Sequence, residues 1–316
     1  MHKQLKMGMA ALSILLAAVL LLAGCQGKGS TNGTSAQKTV TIGYLPITHA
    51  LPVFEEKELL EAQGSDVQIK LQKFSSWTDL MDALNAGKID GASVLVELAM
   101  GAVGKGIDLK AVALGHRDGN VLVASGQINT PQDLKGKTIA IPSTQSSHNI
   151  LVQDALTKAG LSTQDVTLTE LSPAEMPSSL ASGAIDAYCV AEPFGAAAVV
   201  KGFGHVLYES SDLWEDSICC AFVLNGAFLR ENPGAAQTII AGYKEAGQKL
   251  DDASALAVAE KYLGQDGTVL AESLKWISYD DLTLSREDYG TLTEKLKADG
   301  INGNPPDYDT FVYSQN

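Results

Sequence analysis

Two histidines stand just past what read as strand ends. His49 lies in Pro46-Ile-Thr-His-Ala50, and His148 closes Pro142-Ser143-Thr144-Gln145-Ser146-Ser147-His148. A third, His116, lies in Ala113-Leu-Gly-His-Arg117, just past another apolar run. Imidazole donates to an anion, lies beneath a planar ring or ligates a metal. The hydroxyls and amide of Thr48, Ser143, Thr144, Gln145, Ser146 and Ser147 add donors. The second group stands at a helix N-terminus, whose free N–H groups favour an anion or another acceptor-rich group. One or two of these side chains serve as helix caps in any case. Cys189, Glu192 and the adjacent pair Cys219-Cys220 contribute thiols and a carboxylate. Alternation along a strand sends neighbouring side chains to opposite faces, so at most one of Cys219 and Cys220 is expected to face a ligand.

The elements that must position these groups repeat along the chain. Thr39-Val-Thr-Ile-Gly-Tyr-Leu-Pro46 reads as a buried strand ended by proline, and Lys137-Thr-Ile-Ala-Ile-Pro142 opens a second copy. Each copy closes on Leu-x-x-Gly-x-Ile-Asp, with Gly87, Ile89 and Asp90 in the first and Gly183, Ile185 and Asp186 in the second. Thr41 to Asp90 spans 49 positions and Thr138 to Asp186 spans 48. Glycine there supplies a left-handed helix C-cap, and the isoleucine begins a buried strand. Each copy thus predicts an α/β, doubly wound unit with a mostly parallel sheet and flanking helices. Two units mean two lobes, and ligands of open α/β sheets bind outside the carboxyl ends of strands. The apolar runs Gly119–Ser125 and Cys220–Asn225 are the expected crossings. They put lobe 1 at 39–124 plus 225–316 and lobe 2 at 125–224.

The start of the chain says where such a body works. A short basic stretch ending at Lys6 precedes an uncharged apolar run and the sequence Leu21-Leu-Ala-Gly-Cys25. This is the build of a secretory signal, and the run is too short for a membrane span. Its ending resembles the lipobox of bacterial lipoproteins, which makes 1–24 a signal peptide and Cys25 the lipidated residue. Residues 25–38 (CQGKGSTNGTSAQK) read as a flexible tether. Loss of Lys3 and Lys6 takes the net charge from −14 to −16, which argues against nucleic acid as a partner. Cys189, Cys219 and Cys220 form no disulfide framework; a bridge from Cys189 to one of the other two stays open, and we read all three as reduced.

Four segments, in order, resemble solute-binding proteins of the nitrate/sulfonate/taurine/bicarbonate class, which includes relatives that bind pyrimidine precursors. They are Ile42-Gly43-Tyr44-Leu45-Pro46-Ile47-Thr48-His49-Ala50-Leu51-Pro52, Leu84-Asn-Ala-Gly-Lys-Ile-Asp90, Thr130-Pro-x-Asp-Leu-Lys-Gly-Lys137 and Ala187-Tyr-Cys-Val-Ala-Glu-Pro-Phe194. The resemblance implies a two-lobed periplasmic-binding-protein fold of type II, with two crossovers. It implies a monomer with no cofactor that delivers a small solute to an ABC permease and its ATPase. In the family the Glu-Pro position lies at the cleft rim, so Glu192 either binds or fixes the loop. The presumed cleft segments hold no lysine and a single arginine, Arg117. Two ligand classes stay open. One is a sulfonate, oxyanion, taurine-like zwitterion or pyrimidine-type ring, stacked on Trp77, His49 or His148. The other is a soft metal or organometal species, with His49, His148 and Cys219 as ligands. Clustered His, Cys and Glu would also suit a nucleophile and its base. No nucleophile-elbow, metalloprotease or phosphate-loop sequence accompanies them, so no catalytic residue is assigned, and a sensory binding module is the other alternative to transport.

Overall fold

The backbone of the repeat motif explains its spacing. In the computed structural model, which describes residues 37–314, the Asp90 carboxylate accepts the Thr41 N–H at 2.7 Å and its own N–H donates to the Thr41 carbonyl at 2.9 Å. Asp186 repeats both bonds with Thr138, each at 2.9 Å. Gly87 (φ +64°) and Gly183 (φ +73°) turn the preceding helices into these strands. The signal segment 1–24, Cys25 and most of the tether lie outside the described residues.

In chain order the strands are β1 (Lys38–Tyr44), β2 (Val67–Lys73), β3 (Gly91–Leu95), β4 (Leu109–Leu114), β5 (Arg117–Asp118) and β6 (Asn120–Ser125). They continue with β7 (Thr138–Ile141), β8 (Thr167–Glu170), β9 (Ala187–Ala191), β10 (Gly204–Glu209), β11 (Cys220–Asn225) and β12 (Ile277–Ser278). The first sheet has the order β2-β1-β3-β11-β4, and the second, read from its far edge, β8-β7-β9-β6-β10. The two orders correspond strand for strand. In each sheet the fourth strand, β11 or β6, pairs antiparallel with both neighbours, and the remaining strands run parallel. Strands β3 and β9 are buried along their whole length, as a parallel sheet covered on both faces requires.

The expected crossings are real strands, but each belongs to the sheet it enters. β6 pairs only in the second sheet and β11 in the first, so the pairing divides the chain about five residues before the expected boundaries at 124/125 and 224/225. The physical reason is ladder satisfaction: a buried strand must hydrogen-bond along its length, leaving the short segments before it to cross. Those crossing segments are tied together. Ser217 donates its N–H and its hydroxyl to the Asp118 carboxylate at 3.1 and 2.9 Å, and the Asp118 N–H donates to the Ser217 carbonyl at 2.9 Å.

The C-terminal third also departs from its expected place on lobe 1 alone. Helix Pro233–Lys249 packs on helix Leu51–Ala62 of the first sheet. Helix Gly267–Ser273 instead packs on helix Phe194–Val200 beside the second sheet, where Val269 meets Ala196 and Ala197. Lys295 then pairs with Asp154 at 2.8 Å, and the chain returns to β4 when the Tyr313 N–H bonds to the Ala111 carbonyl. No helix among the described residues is long and apolar enough to cross a membrane.

Each motif aspartate bonds a strand backbone through a charged acceptor, an interaction worth about 1–2 kcal/mol here. Asp90→Ala and Asp186→Ala are each expected to lower unfolding free energy in urea by about that amount. The Asp→Asn changes, which keep an acceptor, should cost less.

Candidate functional site

The turn after β1 is held from two directions. The Thr48 N–H and hydroxyl both donate to the Glu192 carbonyl, at 2.8 and 3.1 Å, and the Tyr279 hydroxyl donates to the Thr48 carbonyl at 2.8 Å. His49 is therefore fixed and fully buried. Its Nε2 lies 3.1 Å from the Gly119 carbonyl, which can only accept, so Nε2 carries the proton. Nδ1 then presents its lone pair 3.4 Å from Cys220 Sγ. Only glycine fits at position 119. It sits at φ +77°, and a Cβ there would stand 2.8 Å from Ile277.

His116 comes from the first crossing segment. Its ring stacks on His49 with centroids 3.4 Å apart, and its Nε2 accepts the Cys220 N–H at 3.3 Å. Cys219 and Cys220 come from the second crossing, with their sulfurs 3.9 Å apart. One donor atom from each of His49, His116, Cys219 and Cys220 lies within 4.8 Å of the other three, and all four residues are buried. Both thiols thus turn into the site, against the expectation from alternation. The reason is that the pleat begins only at Cys220, and Cys219 belongs to the irregular crossing before it.

Burial by itself raises the Cys219 thiol, but contact with Cys220 and the neighbouring His148, His116 and His49 hold it well below the ordinary thiol value. Burial and the charge of Cys219 push Cys220 up. Burial, reinforced by His49, lowers His116 to about 4, so the imidazole is neutral at neutral pH. Burial also lowers His148 and raises Glu97 well above the usual carboxylate range, Cys219 adding to the latter. Cys219 is accordingly the thiol that gives up its proton more readily, beside a His116 imidazole that is neutral at neutral pH.

His148 opens helix Ser147–Lys158, fully buried, with neither ring nitrogen hydrogen-bonded. It is outside the four-atom group, where His116 and Cys220 join the expected His49 and Cys219. The Ser147 hydroxyl, both Glu97 oxygens, both Asn120 side-chain atoms and His116 Nδ1 are likewise buried without partners. Glu97, Asn120 and Gly119 escaped sequence reasoning. A lone carboxylate inside the apolar run Ala92–Ala99 was the legible signal for the first.

Other expected residues are placed elsewhere. Thr144 and Gln145 are exposed; the Thr144 N–H bonds to Glu170, and Ser143 Oγ accepts the Gln145 N–H at 3.1 Å. The Ser146 hydroxyl donates back to the Ser143 carbonyl at 2.7 Å. Trp77 packs in the apolar core at the start of helix Trp77–Asn85, its indole N–H without a partner. Cys189 is buried in the middle of β9, and burial together with Cys219 raises its thiol; all three described cysteines are free. Arg117 is spent on Asp288 and the carbonyls of Asp281 and Thr283.

Glu192 holds a loop: its Oε2 accepts the Ala196 N–H at 3.0 Å, while Oε1 has no partner. Burial raises its carboxyl well above the ordinary 4.5, Ala196 opposing and Glu272 reinforcing the shift. A raised folded value means that this group's contribution to stability is complete below about 4.5 and is lost as pH rises towards the folded value. Glu192→Gln should therefore gain on the wild type with rising pH, by up to about 1.4 kcal/mol per unit in that window. Urea unfolding of both proteins at about pH 5 and about pH 8 measures the difference.

The model of the NMT1-like family matches residues 33–264. The ligand-binding component of an ABC-type import system from Staphylococcus aureus, solved with zinc bound, superposes with a TM-score of 0.85 at 37% identity, covering 88% of this chain and 97% of that one. The putative aliphatic sulfonates-binding protein of Escherichia coli is 29% identical over 76% of each chain. The nitrate import ATP-binding protein NrtC of Synechococcus elongatus is 31% identical over 69% of this chain, which spans 36% of that longer protein. With the family model covering well over half its length, the chain belongs to the NMT1-like family.

Proposed function

We propose that this chain is the solute-binding component of an ABC-type importer, a lipoprotein held at the extracytoplasmic membrane face by Cys25. Working as a monomer, it captures a small solute between a lobe built on the first sheet and a lobe built on the second, and presents it to a permease and its ATPase. One observation carries the reading: two sheets of corresponding strand order each bring a histidine from the turn after their first strand, His49 and His148, into a buried polar region. The polar atoms left unpartnered there are what a solute would satisfy. Binding then shifts the open–closed equilibrium through the interactions that form only when the lobes meet. The names of the relatives, import components and binding proteins, support this role. No catalytic step is assigned to the Cys, His and Glu groups. An enzyme of intracellular metabolism would have no use for a lipid anchor.

The relatives' names make sulfonates and nitrate the first solutes to try, and the zinc of the Staphylococcus aureus protein adds metal ions. A solute present at about 100 times its Kd stabilises by about 2.7 kcal/mol, which raises the melting temperature by roughly 4 °C in a chain of this size. Thermal-shift measurements on residues 26–316 against nitrate, bicarbonate, alkyl sulfonates, pyrimidines and divalent metals should find one such class. The shift should shrink in His148→Asn. A flat response to every class contradicts the reading. Separately, Cys25→Ser should move the protein from the membrane fraction to the soluble one; unchanged membrane retention would remove the lipid anchor from the account.

A further inference from the structure

We propose that the solute of this site is a thiophilic divalent cation of the zinc class, ligated by His49, His116, Cys219 and Cys220. The inference rests on the binding-protein reading above and names its cargo.

The donor set comes first. Two thiols and two imidazoles form a combination that selects tetrahedral zinc-class ions over magnesium or calcium, which take oxygen. The spacing comes second. Zinc–sulfur bonds of ~2.3 Å and zinc–nitrogen bonds of ~2.0 Å at the tetrahedral angle separate two sulfurs by ~3.8 Å and a nitrogen from a sulfur by ~3.5 Å. The sulfurs of Cys219 and Cys220 are 3.9 Å apart, and His49 Nδ1 is 3.4 Å from Cys220 Sγ. The third argument is orientation. Metal-ligating histidines donate their other ring N–H to a carbonyl or carboxylate, and His49 does this through Nε2 to the Gly119 carbonyl.

The same site is poorly suited to an oxyanion. Among the described residues no lysine or arginine is buried, and Arg117 is already paired with Asp288. His116 and Cys219 lie on the two crossing segments and Cys220 opens β11, so a bound ion would bridge those segments to the turn after β1. Binding deprotonates whichever of Cys219 and Cys220 still holds its proton, and those protons pass to solvent.

The test is titration of the metal-free chain, residues 26–316, with Zn²⁺ alone and with Co²⁺ as a spectroscopic stand-in. One ion per chain should bind, with the visible bands of tetrahedral Co²⁺ and a thiolate charge-transfer band in the near ultraviolet. Cys219→Ser, Cys220→Ser and His49→Asn should each weaken Zn²⁺ by roughly 100-fold or more, beyond what outer-shell changes cost. His205→Gln, on β10, should leave affinity unchanged. Should the cysteine variants misfold, the wild type still decides: Zn²⁺ must protect Cys219 and Cys220 from maleimide. An octahedral Co²⁺ spectrum, unprotected thiols, or equal affinity in folded Cys219→Ser would overturn the metal site. Absence of metal binding with a clear thermal shift from a sulfonate or nitrate overturns it too, while leaving the binding-protein reading intact. Silence from every solute brings down both.

Discussion

A buried polar atom without a partner costs about 1–3 kcal/mol, and several such atoms belong to residues near Cys219, among them Glu97, His116 and His148. His148 has two, Glu97 two, Asn120 two, and His116 and Ser147 one each. Apolar side chains of similar size would fill the space without that cost. The groups are explained if something that is not protein completes them. Around this constraint the rest of the molecule arranges itself: two sheets that deliver a histidine apiece, a first crossing that delivers His116, and a second that delivers the thiols at the start of β11.

The crossings do more than connect. Asp118 and Ser217 lock them side by side, and that pairing brings residues about a hundred positions apart, His116 and Cys220, into contact. The turn after β1 joins them through His49 and is itself braced by Glu192 and Tyr279. The His49 ring is thus oriented by the Gly119 carbonyl and by the stacked His116 ring before any ligand arrives. Preorganisation of this kind lowers the cost of binding, because little freedom remains to be lost. His148 stands apart, carried by the second sheet with both nitrogens uncommitted, in the position of a group that completes its contacts on closure.

Much of the architecture was legible because the duplicated motif carries its own physics. Gly87 and Gly183 end helices, Ile89 and Ile185 enter the core, and Asp90 and Asp186 bond back to the strand 48 or 49 positions earlier. That pattern announces a strand–helix–strand–helix–strand unit whatever the surrounding sequence. Sheet membership of β6 and β11 was less legible, because a buried apolar strand looks the same in either sheet. The site was legible by residue type and not by partner. Which histidine meets Cys219 and Cys220 depends on how the crossings run beside each other, a long-range fact no local spacing encodes. Strand alternation misled at Cys219, where the pleat has not begun. Thr144 and Gln145 are exposed at the strand end, and Gln145 lines a cavity with Glu97.

The central claim is that two sulfurs and two imidazole nitrogens share one ion. X-ray absorption at the zinc edge of the zinc-loaded chain reads that shell directly. The account predicts two sulfurs at ~2.3 Å and two nitrogens at ~2.0–2.1 Å. A shell of oxygen and nitrogen alone, with no sulfur scattering, would contradict it.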